Sequence, residues 1–420
     1  MVLKQLRWTF THALRLLFYG AFGVLLTLVV VFVQYLDSRT DLDVWHRVDL
    51  DQEFTADSAV ASFGEYLVLE DRLFAQLDEL VYAQTGPVGN DKVNRYKRGS
   101  LSDPERWSPN WNRSYELPVE SPRASVLLLH GLSDSPYSLR SLAGRLHEAG
   151  VHTLGLRIPG HGTAPSGLVN TRWQDMAAAV RLAVRHLAEK NNYQPIYIVG
   201  YSNGAALAVH YALATLDDPD LPRIDKLILI SPEIGVTAVA GLAIWQARLG
   251  RLLGMEKLAW NDILPEYDPF KYASFAVNAG DLSHRLTVEI QRQISVSQKS
   301  GRINELPPIL AFTSIVDATV LVPALVNNLF NRLPEGGHEL IIFDINDQAR
   351  IGPLLKWSPN EIIGALQAST HPSFILSFVT NANPHSRAVI ERQWLSGQDV
   401  HTERSLGLEW PRGVSSLSHV

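Results

Sequence analysis

From residue 124 onward the chain alternates short apolar runs with stretches of helical spacing. Ser125–Leu129 (SVLLL), Val151–Leu156, Ile196–Val199, Lys226–Ile230, Ile309–Phe312 and Glu339–Phe343 read as strands. Ser138–Ala149, Trp173–Ala188, Ala205–Leu216 and Val320–Leu333 read as helices, the first stopping at Gly150. Repeated strand–helix units of this kind build a mostly parallel sheet with helices on both faces, so the fold class is α/β. Phe374–Val379 and Ala388–Gln393 are also strand-like. Residues 233–306 interrupt the alternation, carry several aromatic residues, and end just before Pro307-Pro308. They fit an inserted, mostly helical cap.

A second constraint lies at the amino terminus. Leu16 to Leu36 are 21 residues without a charge, and a helix of that length rises roughly 30 Å, the thickness of a bilayer's hydrocarbon core. Lys4, Arg7 and Arg15 precede it with no acid, while residues 37–53 hold six acids against Arg39 and Arg47. The positive-inside rule then predicts one transmembrane signal anchor, residues 1–36, with a cytoplasmic amino terminus. A cleaved signal peptide is the rival, but its apolar region is usually shorter and ends in small residues. Here the run exits through Gln34-Tyr35-Leu36-Asp37.

Residues 37–122 read as a connector. Within 56–84, Phe63, Tyr66, Leu67, Leu73, Phe74 and Leu77 recur at helical spacing with acids on the other face, predicting one amphipathic helix packed on the main domain. Residues 85–122 are rich in Gly, Pro, Asn and Ser and read as irregular. Residues 123–420 form the main domain. A net charge of −6 argues against nucleic-acid binding, which needs a basic face, and the absence of cysteine removes disulfides, thiolate metal sites and a cysteine nucleophile.

The chemical signal centres on Ser202. Gly200-Tyr201-Ser202-Asn203-Gly204 matches G-x-S-x-G and lies between a strand (PIYIV) and a helix (GAALAVHYAL). A serine on that turn occupies strained backbone and needs small neighbours, which Gly200, Gly204, Ala205 and Ala206 supply. The turn presents the hydroxyl at the carboxyl end of the sheet and places the Asn203 N–H at a helix start, where it can hold an oxyanion. His130-Gly131-Leu132 ends the first strand of the domain, and its loop offers the Leu132 N–H as second donor. His130 reads as structural and Asp134 as a turn residue.

These residues resemble the α/β-hydrolase superfamily, and within it the monoacylglycerol lipase and carboxylesterase group (serine aminopeptidase S33-like). The resemblance rests on LLLHGLSDSP (127–136), LRIPGHGTAPSG (156–167), Trp173-Gln174-Asp175 and VGYSNG (199–204), and spans residues 124–345. It implies an α/β-hydrolase fold with a helical cap at about 233–306, preceded by one transmembrane helix. It also implies a triad in the chain order serine, acid, histidine.

The acid should follow the strand after the cap, which selects Asp317, with Asp344 and Asp347 as alternatives and helix capping as an ordinary role for Asp317. The histidine is harder to place, because none occurs between His338 and His371. His371, His385, His401 and His419 are candidates. Ser418-His419-Val420 resembles the step around the catalytic histidine in bacterial esterases of this group, so His419 is chosen, with His385 next. Only one residue follows His419 in the sequence. A terminus frays unless held, so the choice requires contacts that hold the last residues, a longer chain, or another base.

With that triad, Ser202 attacks an acyl carbonyl, His419 moves the proton, Leu132 and Asn203 hold the oxyanion, and water cleaves the acyl-enzyme. No cofactor or metal is expected. Tyr201 and the cap's Trp245 are expected to contact substrate. Trp245, Leu249, Leu252, Leu253, Leu258 and Trp260 offer an apolar surface, although any one of them more often simply packs the cap on the core. Cap and anchor together point to lipid-like acyl esters as substrates and to a single-pass protein of the bacterial inner membrane with its catalytic domain in the periplasm. An inactive binding protein on the same scaffold and an acyltransferase using the same acyl-enzyme are the alternatives.

Overall fold

The computed structural model describes residues 2–86, 89, 92–190, 194–235, 255–317, 321–346, 364, 373–398 and 400–417. Its first element is a long helix, α1 (Val2–Ser38). Within it Arg15–Ser38 is long and apolar enough to cross a membrane, and none of its most apolar stretch is buried against the protein. Contacts with the rest of the molecule begin at the helix's end. Leu36 is buried, and the Arg39 guanidinium donates to the Lys257 and Asn261 carbonyls at 2.9 and 2.8 Å. Lys257 Nζ returns a bond to the Arg39 carbonyl at 2.8 Å.

The following segment lies against the domain along its length. Trp45 stacks on Tyr96 with ring centroids 4.9 Å apart. His46 Nδ1 accepts from the Asp43 N–H, so its Nε2–H donates to Ser274 Oγ at 2.9 Å. The amphipathic helix is α2 (Phe63–Leu77), capped by Ser62, whose hydroxyl accepts from the Glu65 N–H. Its Phe63 and Tyr66 enter the main core, while Leu73, Phe74 and Leu77 pack with Trp45 and Tyr96 in a second cluster. The described residues of 85–114 are largely irregular, and then Tyr115–Leu117 forms the first strand, β1.

The large sheet has the order β1-β3-β2-β4-β5-β8-β9-β10-β11-β12. Its strands are β2 (Ala124–Leu129), β3 (Val151–Leu156), β4 (Ile196–Tyr201), β5 (Lys226–Ile230), β8 (Ile309–Ser314), β9 (Glu339–Phe343), β10 (Ile375–Asn381), β11 (Ala388–Trp394) and β12 (His401–Glu409). From β3 to β10 neighbouring strands run parallel, while β1, β11 and β12 pair antiparallel at the two ends. Helices α3 (Arg140–Glu148), α4 (Trp173–Lys190) and α5 (Asn203–Asp217) are the crossovers of the first half. The sheet is α/β, as the alternation predicts. Strand β12 was not anticipated, because its residues are mostly exposed and carry no period-two apolar pattern.

The cap is only partly helical among its described residues. It contains a short pair, β6 (Trp260–Asp262) with β7 (Phe275–Ala276), and then α6 (Val277–Ser300), which packs along α5. Helix α6 ends at Gly301, whose φ of 74° suits a glycine at this stop. A short helix, α7 (Val322–Asn328), lies between β8 and β9.

Candidate active site

Leu132, Tyr201, Ser202, Asn203 and Asp317 all lie at the carboxyl ends of the parallel strands. Ser202 sits between β4 and α5 with φ 54° and ψ −116°, a conformation that costs a non-glycine residue about 1–3 kcal/mol. The surroundings hold it there. The Ser202 N–H donates to the Ile230 carbonyl at 2.9 Å, and the Ser202 carbonyl accepts from the Ala205 and Glu233 N–H groups at 3.0 and 3.2 Å. Gly204 is required by close approach, since a Cβ there would overlap the Leu129 and His130 carbonyls. Ser202 is itself 7% exposed.

The loop at Gly131–Leu132, expected to supply an oxyanion donor, lies directly against this turn. A Cβ on Gly131 would stand 3.2 Å from Ser202 Cβ and 3.1 Å from the Tyr201 ring. The Gly131 carbonyl accepts from the His130 ring at 2.9 Å and from the Asp134 N–H at 3.3 Å. In a trans peptide the carbonyl and the following N–H point in opposite directions. Gripping the Gly131 carbonyl therefore fixes the direction of the Leu132 N–H. The Asn203 N–H begins α5, where a helix's first donors have no intrahelical acceptor. The Asn203 side chain reaches Ser283 Oγ of α6 at 3.5 Å, so cap and turn touch.

His130 is structural, as expected. Its Nε2 accepts from the Ile158 N–H at 3.1 Å, which leaves Nδ1 as the donor to Gly131. Burial, with His161 and Arg157 nearby, holds it neutral, far below the usual histidine range. Asp134 accepts from the Ser135 N–H, and burial pushes its carboxyl up to about 6.

Asp317 is buried at 1% exposure, three residues beyond the end of β8, and its N–H donates to the Ser314 carbonyl. Asp344 is engaged elsewhere, accepting from Thr380 Oγ1 and from the Ile345 N–H, each at 2.8 Å. Asp347, His371, Trp245, Leu249, Leu252, Leu253 and His419 fall outside the described residues. Among the other histidine candidates, His385 is exposed in the β10–β11 hairpin and His401 lies on exposed β12, its ring 4.6 Å from Trp394. Leu258 and Trp260 are buried, Trp260 edge-on to His46. Both pack the cap rather than line an open surface. Tyr201 is half-buried beside Gly131.

Sequence reasoning missed how the chain's last described residues are held. The Asn346 N–H, three residues past β9, donates to the Ser415 carbonyl at 2.8 Å, and Asn346 Nδ2 donates to the Val414 carbonyl at 3.0 Å. Asn381 Nδ2 donates to Asn346 Oδ1 at 3.2 Å. No local pattern marks an asparagine for this role.

Residues 120–287 match the family model described as serine aminopeptidase, S33. This segment includes the turn at Ser202, the Gly131–Leu132 loop and the first part of the cap. A thermostable monoacylglycerol lipase from Bacillus sp. (strain H-257) is 30% identical over 122 residues, which are 29% of this chain and 46% of the lipase. The chain thus spans about half the length of that curated relative. Among solved structures, a monoacylglycerol lipase of Paleococcus ferrophilus is 17% identical, covering 55% of this chain and 88% of its own, with a TM-score of 0.41. A soluble variant of the monoglyceride lipase of Saccharomyces cerevisiae is 16% identical, covering 55% and 82%, with a TM-score of 0.43.

Proposed function

We propose that this protein is a membrane-anchored serine hydrolase that cleaves carboxylic esters of lipid-like alcohols or acyl chains. The observation that carries the reading is the strained Ser202 turn packed against the oxyanion loop. Such strain persists only where the surrounding structure holds it, and here it presents a hydroxyl beside two backbone donors.

In the proposed mechanism Ser202 Oγ attacks the acyl carbonyl as His419 takes its proton. Asp317 holds the imidazole in its tautomer and stabilises the imidazolium. The N–H groups of Leu132 and Asn203 receive the oxyanion. The alcohol leaves with the proton from His419, and a water activated by the same imidazole releases the acid. The choice of His419 is supported by chain reach. Four residues separate it from Ser415, a span of at most roughly 14 Å. Ser415 is bonded to Asn346, which lies three residues beyond β9, and Asp317 lies three residues beyond β8. These neighbouring strands are about 4.8 Å apart.

The anchor and the cap motivate the substrate class, and the lipase relative is consistent with it. The charge asymmetry around Arg15–Ser38 supports a bacterial inner-membrane protein with its catalytic domain in the periplasm. A fluorophosphonate probe should label the full chain and not Ser202→Ala. An ester panel should favour long acyl chains over acetyl and butyryl. Equal labelling of both proteins would remove the serine mechanism, and hydrolysis restricted to acetyl and butyryl esters would remove the lipid assignment.

A further inference from the structure

The triad leaves unused the most heavily bonded buried ion cluster in the described chain. Arg157, immediately after β3, has a side chain only 1% exposed. Its Nη1 and Nη2 meet Glu53 at 3.0 and 2.9 Å in a two-pronged pair, and its Nε meets Glu70 at 2.9 Å. Glu53 lies in the segment that follows α1, and Glu70 lies on α2. Ser114 adds its N–H and its hydroxyl to Glu70, each at 2.9 Å. Burying one guanidinium and two carboxylates costs several kcal/mol per ion before their attraction is counted, so hydrophobic side chains would serve stability as well or better. A role in geometry is the better account.

The cluster also holds backbone that leads to the active site. Glu53 Oε2 also accepts from the Gly160 N–H at 2.9 Å, and Arg157 Nη1 donates to the His161 carbonyl at 3.1 Å. Gly160 and His161, the middle residues of the Pro159–Gly162 loop, are therefore gripped. The next residue after Arg157 is Ile158, whose N–H sets the tautomer of His130, and the other ring nitrogen of His130 grips the Gly131 carbonyl. That carbonyl shares a peptide plane with the Leu132 N–H. Tyr272 closes the circuit, its N–H bonded to the Ser133 carbonyl at 2.7 Å and its hydroxyl accepting from the Thr163 N–H at 2.8 Å.

We propose that Glu53 and Glu70 are positioning residues that aim the Leu132 oxyanion donor through Arg157, Ile158 and His130. The segment following the apolar helix is thereby a working part of the active site. The proposal rests on the serine-hydrolase reading above.

The test uses the full chain in detergent micelles, with a chromogenic long-chain ester as substrate and an alkyl trifluoromethyl ketone as probe. Such a ketone adds the serine hydroxyl and forms a tetrahedral oxyanion, so its affinity reports the donors directly. In Glu53→Gln and Glu70→Gln, kcat should fall about 10- to 100-fold and ketone affinity by a similar factor, with KM within about threefold. Leu73→Ala opens a cavity in α2 away from Arg157 and should lower the melting temperature while leaving kcat and ketone affinity within about twofold. Glu53 lies at the rim of the cluster, so Glu53→Gln carries the test alone if Glu70→Gln does not fold. Folded glutamate variants with wild-type ketone affinity overturn the proposal, as does Leu73→Ala weakening the ketone equally. Hydrolysis that survives Ser202→Ala overturns the underlying reading. Hydrolysis lost in Ser202→Ala but unchanged in the glutamate variants overturns the relay alone.

Discussion

Asn346 donates its backbone N–H to the Ser415 carbonyl at 2.8 Å, bringing the last described turn of the chain back to the carboxyl end of β9. The same side chain holds the Val414 carbonyl and is itself held by Asn381. If residues beyond 417 supply the base, this asparagine decides how well that base is placed. Asn346→Ala should lower kcat about tenfold with KM nearly unchanged, because a misplaced base affects the transition state and not substrate binding. His419→Ala should lower kcat by about 10³ or more. Steady-state kinetics on both variants checks this, and full activity in His419→Ala would move the base to another histidine.

The glycines around Ser202 differ in what they tolerate. At Gly204 an added methyl would meet the carbonyls of Leu129 and His130, backbone that belongs to the central strand and cannot move aside. Gly204→Ala should cost about 3 kcal/mol or more, or prevent folding. At Gly131 the neighbours are the Tyr201 ring and Ser202 Cβ, at 3.1 and 3.2 Å. Gly131→Ala should fold but push the nucleophile from its place, with kcat falling further than stability. Denaturant melts beside kinetics separate the two cases.

Acid should unfold the domain early. His46, His161, His210 and His338 are each held down to about 4 by burial, and His130 is likewise held well below the usual histidine range. A histidine whose folded pKa lies below its unfolded value near 6.5 contributes its full stability above about 6.5 and loses it as pH falls towards about 4. Each adds at most about 1.4 kcal/mol per pH unit of slope in that window. Asp134, Glu70, Glu266 and Glu339, raised by burial, act in the opposite direction, four groups against five. Urea midpoints should therefore fall from pH 7 to pH 4.5. A flat or rising midpoint would show that these histidines titrate alike in both states.

The parts of this molecule legible from sequence are those encoded locally. The strands β2 to β5 are short apolar runs bounded by turn residues, and the Ser202 turn is written in five consecutive residues between a strand and a helix. What was not legible depends on partners far along the chain. Glu53 and Arg157 are 104 residues apart, and although Arg157 lies in the LRIPGHGTAPSG stretch, nothing local pairs it with Glu53. The return of residues 414–415 to Asn346 depends on β10, β11 and β12, and β12 has no apolar face to announce it. Leu258 and Trp260 pack the cap on the core, the ordinary role expected of any one apolar cap residue, and only their neighbours tell that role from an open surface.

The apolar helix and the catalytic domain should be separable, and the cut has a defined place. Among the described side chains of helix α1 none before Leu36 is buried, whereas Arg39, Trp45, His46 and Glu53 are each bonded or packed into the domain. Removing residues 2–35 should therefore yield a protein soluble without detergent, with a melting temperature and kcat on a dispersed short ester within about twofold of the full chain. Removing residues 2–56 instead takes away Trp45, whose burial against Tyr96 is worth about 3–5 kcal/mol, and Glu53, which holds Arg157. That second truncation should unfold or lose activity. The full chain should stay with membranes through alkaline extraction, and the first truncation should not. Equal behaviour of the two truncations would mean that residues 36–56 are dispensable to the fold, against the contacts they make.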